Sequence, residues 1–238
     1  MTWMDKGHKQ TRTVVALGIV LACGACAFAL DPSLDVSQYA HTAWKVREGF
    51  SKGSIGSIAQ TPDGYLWLGT EFGLLTFDGV RAVPWQPPPG EQLPSTDIRG
   101  LLTARDGTLW VATGKGLAGW KDGKLSQYSE LAGHEVISLL QDHEGTIWAS
   151  AWGTPGILCA IQSGRIQCYG EDGSLGRGLG PMYEDSRGNI WTGSPSGLWR
   201  WRPGPPKLYP MPEWPTGFAE GGRRRALDGH AQRDPAVR

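Results

Sequence analysis

The residues with chemistry to offer are few and scattered. His134 and His143 lack a third ligand at any spacing that suits a metal, so no metal site is expected. Paired carboxylates stand at Asp142/Glu144 and Glu184/Asp185, each just ahead of a glycine. Acids there serve turn geometry through local backbone hydrogen bonds, and general acid–base work is not their expected role. Cys159 and Cys168 flank Ser163-Gly164; across a two-residue hairpin they face each other closely enough for a disulfide, although two buried free thiols would also fit. Aromatic and charged residues recur in short loops: Glu71, Phe72, Lys115, Trp152 and Arg177. A ring flanked by cations suits a sugar or a polyanion, so Trp152 with Lys115 and Arg177 is the candidate ligand set. No cofactor fingerprint is present, and the chain is expected not to be an enzyme.

What must position these groups is a unit written four times. It begins SIAQTPDGYLWLGTEFG at Ser57, GLLTARDGTLWVATGKG at Gly100, SLLQDHEGTIWASAWG at Ser138 and PMYEDSRGNIWTGSPSG at Pro181. The shared core is Gly-x-(Leu/Ile)-Trp, with Trp67, Trp110, Trp148 and Trp191 spaced 43, 38 and 43 residues apart. Each unit reads as a short apolar strand, a glycine turn, a strand holding the tryptophan, a small-residue loop, and a hairpin of two more strands. Four antiparallel strands per period of this length is the arithmetic of a β-propeller blade. The fold class is therefore all-β: a partial β-propeller of about four blades forming an incomplete ring, with blades at about 55–97, 98–135, 136–178 and 179–215.

Composition agrees. With 35 Gly, 17 Pro and 12 Trp, the 238 residues favour many short strands and tight turns over long helices. In YLWLGT both strand faces are apolar, as a sheet stacked on both sides requires. The four repeated tryptophans are accordingly expected as wedges between blades. In such an arrangement Glu71, Phe72, Lys115, Trp152 and Arg177 fall on one face, formed by the loops between second and third strands and the links to the next blade. Charge is balanced overall, and without the two termini the body is mildly acidic. No basic stripe exists to neutralise phosphates, so a nucleic-acid partner is not expected.

The four units resemble the two-component regulator propeller repeats of periplasmic sensor regions in bacterial histidine kinases and diguanylate cyclases. The resemblance covers Tyr39 to Tyr209 and includes an entry strand with Trp44 and Glu48-Gly49-Phe50. It implies a ligand-sensing module, often for carbohydrates, belonging to a receptor with membrane and kinase parts that this sequence does not contain. A protein-docking scaffold is the alternative. A lyase of the streptogramin-inactivating type is a further one, for which His143 is the only nominee. The resemblance also implies a ring of seven blades, so that four would leave open faces prone to self-association.

The termini read separately. Lys6, Lys9 and Arg12 precede the apolar run Val14–Leu30, and Ala27-x-Ala29 frames a cleavage site, making residues 1–29 a signal peptide and the protein an exported one. A lipoprotein box ending at Cys23, or an uncleaved anchor, are the other outcomes. Residues 30–54 form the entry segment. The Arg-rich stretch 216–238 loses the tryptophan grammar and is expected to be disordered.

Overall fold

The computed structural model describes residues 53–201, 205–221 and 225–228. The leader at 1–29, with Cys23 and Cys26, and the entry strand around Trp44 lie outside the described residues. Within them, the repeat grammar becomes four four-stranded antiparallel sheets, each a simple meander. Blade 1 holds β1 (Ile55–Gln60), β2 (Leu66–Thr70), β3 (Gly73–Phe77) and β4 (Ala82–Pro84). Blade 2 holds β5 (Ile98–Thr103), β6 (Leu109–Thr113), β7 (Gly116–Lys121) and β8 (Lys124–Gln127). Blade 3 holds β9 (Glu135–Gln141), β10 (Ile147–Trp152), β11 (Ile157–Gln162) and β12 (Arg165–Tyr169). Blade 4 holds β13 (Met182–Glu184), β14 (Ile190–Ser194), β15 (Gly197–Trp201) and β16 (Lys207–Pro210). Together these sheets form a partial β-propeller.

Turn chemistry sets the strand boundaries. The glycine three residues before each tryptophan has positive φ: 91° at Gly64, 83° at Gly107, 91° at Gly145 and 77° at Gly188, a region that side chains other than glycine's disfavour. Ser163 (50°) and Gly164 (75°) together make a two-residue turn of the type that matches strand twist. That turn fixes the β11–β12 register, placing Cys159 opposite Cys168, and the two form a disulfide.

The tryptophans hold the blades together. Trp67 is 6% exposed and packs on Leu109, Val111 and Ala118 of blade 2. Trp110, also 6% exposed, packs on Ile147 and Ala149 of blade 3, and Trp148, 1% exposed, on Ile190 and Trp201 of blade 4. Burying an indole removes about 150–250 Å² from water, about 4–6 kcal/mol of transfer free energy before ordering costs. Trp191 is only half-buried. Its forward side meets a narrower element than the other three do.

That element is where the sequence expectation needs correction. Part of the stretch expected to be disordered forms an antiparallel hairpin, β17 (Phe218–Gly221) with β18 (Arg225–Asp228). Ala219 pairs with Leu227, as Ala59 pairs with Trp67, Leu102 with Trp110, Leu140 with Trp148 and Tyr183 with Trp191. In every pair the two residues are eight apart. The hairpin therefore has the register of the first two strands of a fifth blade, with leucine at the tryptophan position.

A hydrogen bond repeated between neighbouring blades supports the assignment. The amide five residues before the tryptophan donates to a side chain at or next to the end of the following sheet's first strand. Arg105 donates to Gln141 Oε1 at 2.9 Å, His143 to Glu184 Oε2 at 2.9 Å, and Ser186 to Glu220 Oε2 at 3.0 Å. Glu220 thus does for the hairpin what Gln141 and Glu184 do for whole blades. Phe218 stacks on Tyr183 beside it, centroids 6.3 Å apart. Between blades 1 and 2 the donor position is Pro62, which has no N–H.

Candidate functional site

The two ends of the blades are built for different purposes. At the end carrying the glycine turns, the residue six before each tryptophan receives the indole N–H. Thr61 Oγ1, Asp142 Oδ2 and Asp185 Oδ2 each accept it at 2.8 Å, from Trp67, Trp148 and Trp191. Blade 2 has Ala104 at that place, and the buried Nε1 of Trp110 has no partner. Asp142 also receives the amide of Thr146 at 2.8 Å, and Asp185 those of Arg187 and Asn189, both at 2.9 Å. Burial pushes the Asp185 carboxyl upward, but the bonds from Trp191 and Asn189 outweigh it and hold the group below its ordinary value. These acids are structural brackets.

His143 belongs to the same end. Its Nδ1 pairs with Glu184 Oε1, linking blades 3 and 4, and this hydrogen bond raises the imidazole above its ordinary value despite opposing desolvation. The lyase nominee is thus tied into a blade junction, at the end opposite the loops between second and third strands. His134 is half-buried, and among the described residues no three His, Cys, Asp or Glu side chains come together as metal ligands.

The opposite end carries the loops between second and third strands. A small hydroxyl clasps each of three loops: Thr70 donates to Gly73 O at 2.9 Å, Thr113 to Gly116 O at 2.9 Å and Ser194 to Gly197 O at 3.1 Å. The same oxygens accept the amides of Phe72, Lys115 and Ser196 at 3.1, 3.2 and 3.2 Å. Satisfying both backbone groups locally holds the loops and projects the residues at 72, 115 and 196 from equivalent places. All three are exposed, Phe72 by 66%.

Blade 3 departs from this pattern. Trp152 ends β10 and stacks on Trp214, centroids 4.8 Å apart and planes 29° apart. Gly178 lies beneath the Trp152 ring where any Cβ would collide, and Gly180 and Gly193 similarly make room for Trp214. Neighbouring Arg177 is exposed, as are Glu71 and Lys115. The structure puts Glu71, Phe72, Lys115, Trp152 and Arg177 at one end of the blades, but no hydrogen bond, ion pair or ring contact joins any of these side chains to another. What it assembles instead is the Trp152–Trp214 pair.

A second feature of this end is invisible in the sequence. Strand β5 carries a bulge, with Ile98 opposite Thr113 and Gly100 opposite Ala112, leaving Arg99 unpaired. The Arg99 guanidinium bridges Asp97 at 2.9 Å and Glu135, from the first strand of blade 3, at 3.1 Å. Equivalent bulges in blades 1 and 3 place Gly56 and Ile137 there, so only blade 2 offers a charge. The link between Arg99 and Glu135 depends on which strands become neighbours.

Two clefts open between blades. One of about 520 Å³ at the turn end of blades 2 and 3 is lined by Trp110, Lys121, Tyr128 and Gln141. The other, about 660 Å³, lies along β12 and β15, with Tyr169, Glu171, Asp172, Trp199 and Trp201 on its walls. Among the described residues no helix is long and apolar enough to cross a membrane.

Consecutive four-stranded meanders joined by aromatic wedges define a protein of the β-propeller class. Residues 49–72 and 92–115 match the family model of the two component regulator propeller. No curated protein sequence matches the chain. Among solved structures it is similar to an extracellular domain assigned to a one component system, BT4673, of B. thetaiotaomicron: TM-score 0.58, 19% identity, covering 71% of this chain and 25% of that one. It is also similar to virginiamycin B lyase from Staphylococcus aureus, with TM-score 0.57 and 15% identity over 71% of this chain and 61% of the lyase. The chain thus spans less than two thirds of the length of either protein. At such identities the likeness is one of fold, and the fold is the propeller used by extracellular domains of two-component regulators.

Proposed function

We propose that this chain is an extracytoplasmic, ligand-sensing propeller module of a two-component-type receptor, and that it binds at the looped end without catalysis. The observation that carries the reading is the contrast between the two ends. At the turn end the same bracket recurs in three of the four blades, whereas the looped end holds equally fixed loops that present different side chains: Phe72, Lys115, Ser196 and the Trp152–Trp214 pair. A fixed frame with varied display is how a scaffold carries recognition. Trp214, exposed and backed by its stacking on Trp152, offers an apolar ring, and Lys115 and Arg177 supply cations at the same end, which suits a sugar bearing carboxylate or sulfate groups. Export is supported by the leader-like N-terminus and by the Cys159–Cys168 bond, which an oxidising compartment maintains.

Calorimetric titration with a panel of neutral, uronic and sulfated oligosaccharides tests the reading, with Trp152→Ala as the control. Binding of an acidic sugar that weakens about tenfold or more in Trp152→Ala is the expected result. Binding that is unchanged in the variant, or absent across the panel, would overturn the assignment of this end. Capture of a protein partner by the same loops, without saccharide binding, would favour the docking alternative.

A further inference from the structure

Further rings line the blade junctions around the wedge tryptophans, and the junction of blades 2 and 3 is one ring short. The wedges of blades 1, 2 and 4 each meet an aromatic residue at or just after the end of their own blade's fourth strand. Trp67 meets Trp85 with centroids 5.8 Å apart, Trp110 meets Tyr128 at 5.1 Å and Trp191 meets Tyr209 at 5.8 Å. That aromatic in turn meets a tryptophan near the end of the following blade's third strand: Trp85 lies 5.1 Å from Trp120 of blade 2, and Tyr169 of blade 3 lies 4.8 Å from Trp201 of blade 4. Blade 3 has Ile161 at this register, pairing with Ile147 as Trp120 pairs with Leu109 and Trp201 with Ile190. Tyr128 therefore meets no third ring.

The cleft of about 520 Å³ opens at this place. Ile161 lines it together with two positions where blade 2 carries a smaller residue than the other blades. Gly119 pairs with Trp110, where Thr76 pairs with Trp67, Ala160 with Trp148 and Arg200 with Trp191. Ala104 stands where blades 1, 3 and 4 have Thr61, Asp142 and Asp185. One wall is half-buried Tyr128, stacked on Trp110 with planes 30° apart. A volume of this size suits a small molecule.

Turns supply a polar rim. Asp122 and Lys124, from the β7–β8 turn, are exposed and enter no ion pair among the described residues, whereas Lys121 beside them is held by Asp106 at 2.9 Å. Ser126 of blade 2 and Ser163 of blade 3 add hydroxyls. A ring-sized apolar space edged by one unpaired acid and one unpaired base matches a zwitterion with an aromatic side chain.

We propose that this cleft binds a free amino acid with a large aromatic side chain. The ring lies against Tyr128 and Ile161, in the place that Trp120 and Trp201 hold at the neighbouring junctions, while the carboxylate faces Lys124 and the ammonium faces Asp122. This site is at the turn end and is separate from the looped end.

Calorimetric titration of the full chain with L-tryptophan tests this, and saturable one-to-one binding with Kd at or below about 1 mM is expected. N-Acetyltryptophanamide keeps the ring but lacks both charges, and should bind about tenfold more weakly. Ile161→Trp supplies the third ring from the chain itself, so it should abolish binding while circular dichroism shows the parent fold. Saturating L-tryptophan should raise the Tm of the parent and leave that of Ile161→Trp unmoved. Asp122→Asn and Lys124→Gln alter exposed turn residues, so folding is expected to be unchanged and each should weaken binding about threefold. No binding of L-tryptophan, equal binding of the amide, full affinity in a folded Ile161→Trp, or full affinity in both charge variants would each overturn the proposal.

Discussion

Ala104→Thr should make the protein more stable by completing a bracket that blade 2 lacks. In blade 1, Thr61 Oγ1 receives the Trp67 indole at 2.8 Å and contacts Asp63 Oδ1 at 2.6 Å. Blade 2 has Asp106 where blade 1 has Asp63 and Trp110 where it has Trp67, yet it has alanine in place of Thr61, and Trp110 Nε1 is buried without a partner. A buried unpaired donor costs about 1–3 kcal/mol, and a new neutral hydrogen bond typically returns about 1 kcal/mol net. Room is available, since Ala104 borders the cleft of about 520 Å³ between blades 2 and 3. For a protein of this size 1 kcal/mol corresponds to about 2–4 °C in Tm. Calorimetric melts of four proteins would separate the bond from general packing: the parent, Ala104→Thr, Trp110→Phe, and the double variant. The expected gain appears with tryptophan and vanishes with phenylalanine, which has no N–H. No gain in the parent background, or the same gain in both, would refute the reasoning.

Two further outcomes follow from the geometry. The His143–Glu184 pair raises the folded-state pKa of His143 above its ordinary 6.5, so its stabilising effect is complete below that value and is lost as pH rises through the folded pKa. The Tm difference between the parent and His143→Ala should therefore be largest just below 6.5 and shrink in alkaline buffer; a difference that grows with pH would contradict the pairing. Reducing Cys159–Cys168, which are nine residues apart, should lower stability by about 2–3 kcal/mol on loop-entropy grounds, or about 5–10 °C in Tm, read by melts with and without reductant.

Much of this architecture can be read from one chain, because glycine and tryptophan meet backbone and packing requirements that few other residues satisfy. Gly-x-(Leu/Ile)-Trp fixes a turn and a wedge together, so the four sheets and their registers follow from it. The fifth hairpin was hidden for the same reason. Leu227 replaces the tryptophan, and Arg224 stands where the turn glycine is expected, leaving strand register and the Glu220 hydrogen bonds to reveal the repeat. Residues at the looped end were legible singly and not as a group. Phe72 and Lys115 stand out as loop residues after a clasping threonine, but Trp214 reaches Trp152 from 62 residues away, and no local pattern announces it. Arg99 was missed because a bulge is a property of two strands together.

The hydroxyl clasps at Thr70, Thr113 and Ser194 have a consequence for how such a surface can change. Because each clasp closes its own loop through backbone groups, the residue displayed beside it contributes little to keeping the loop in shape. Positions 72, 115 and 196 can therefore be rewritten one at a time, by evolution or by a combinatorial library, without unsettling the sheets below. New binding preferences could then arise at almost no risk to folding.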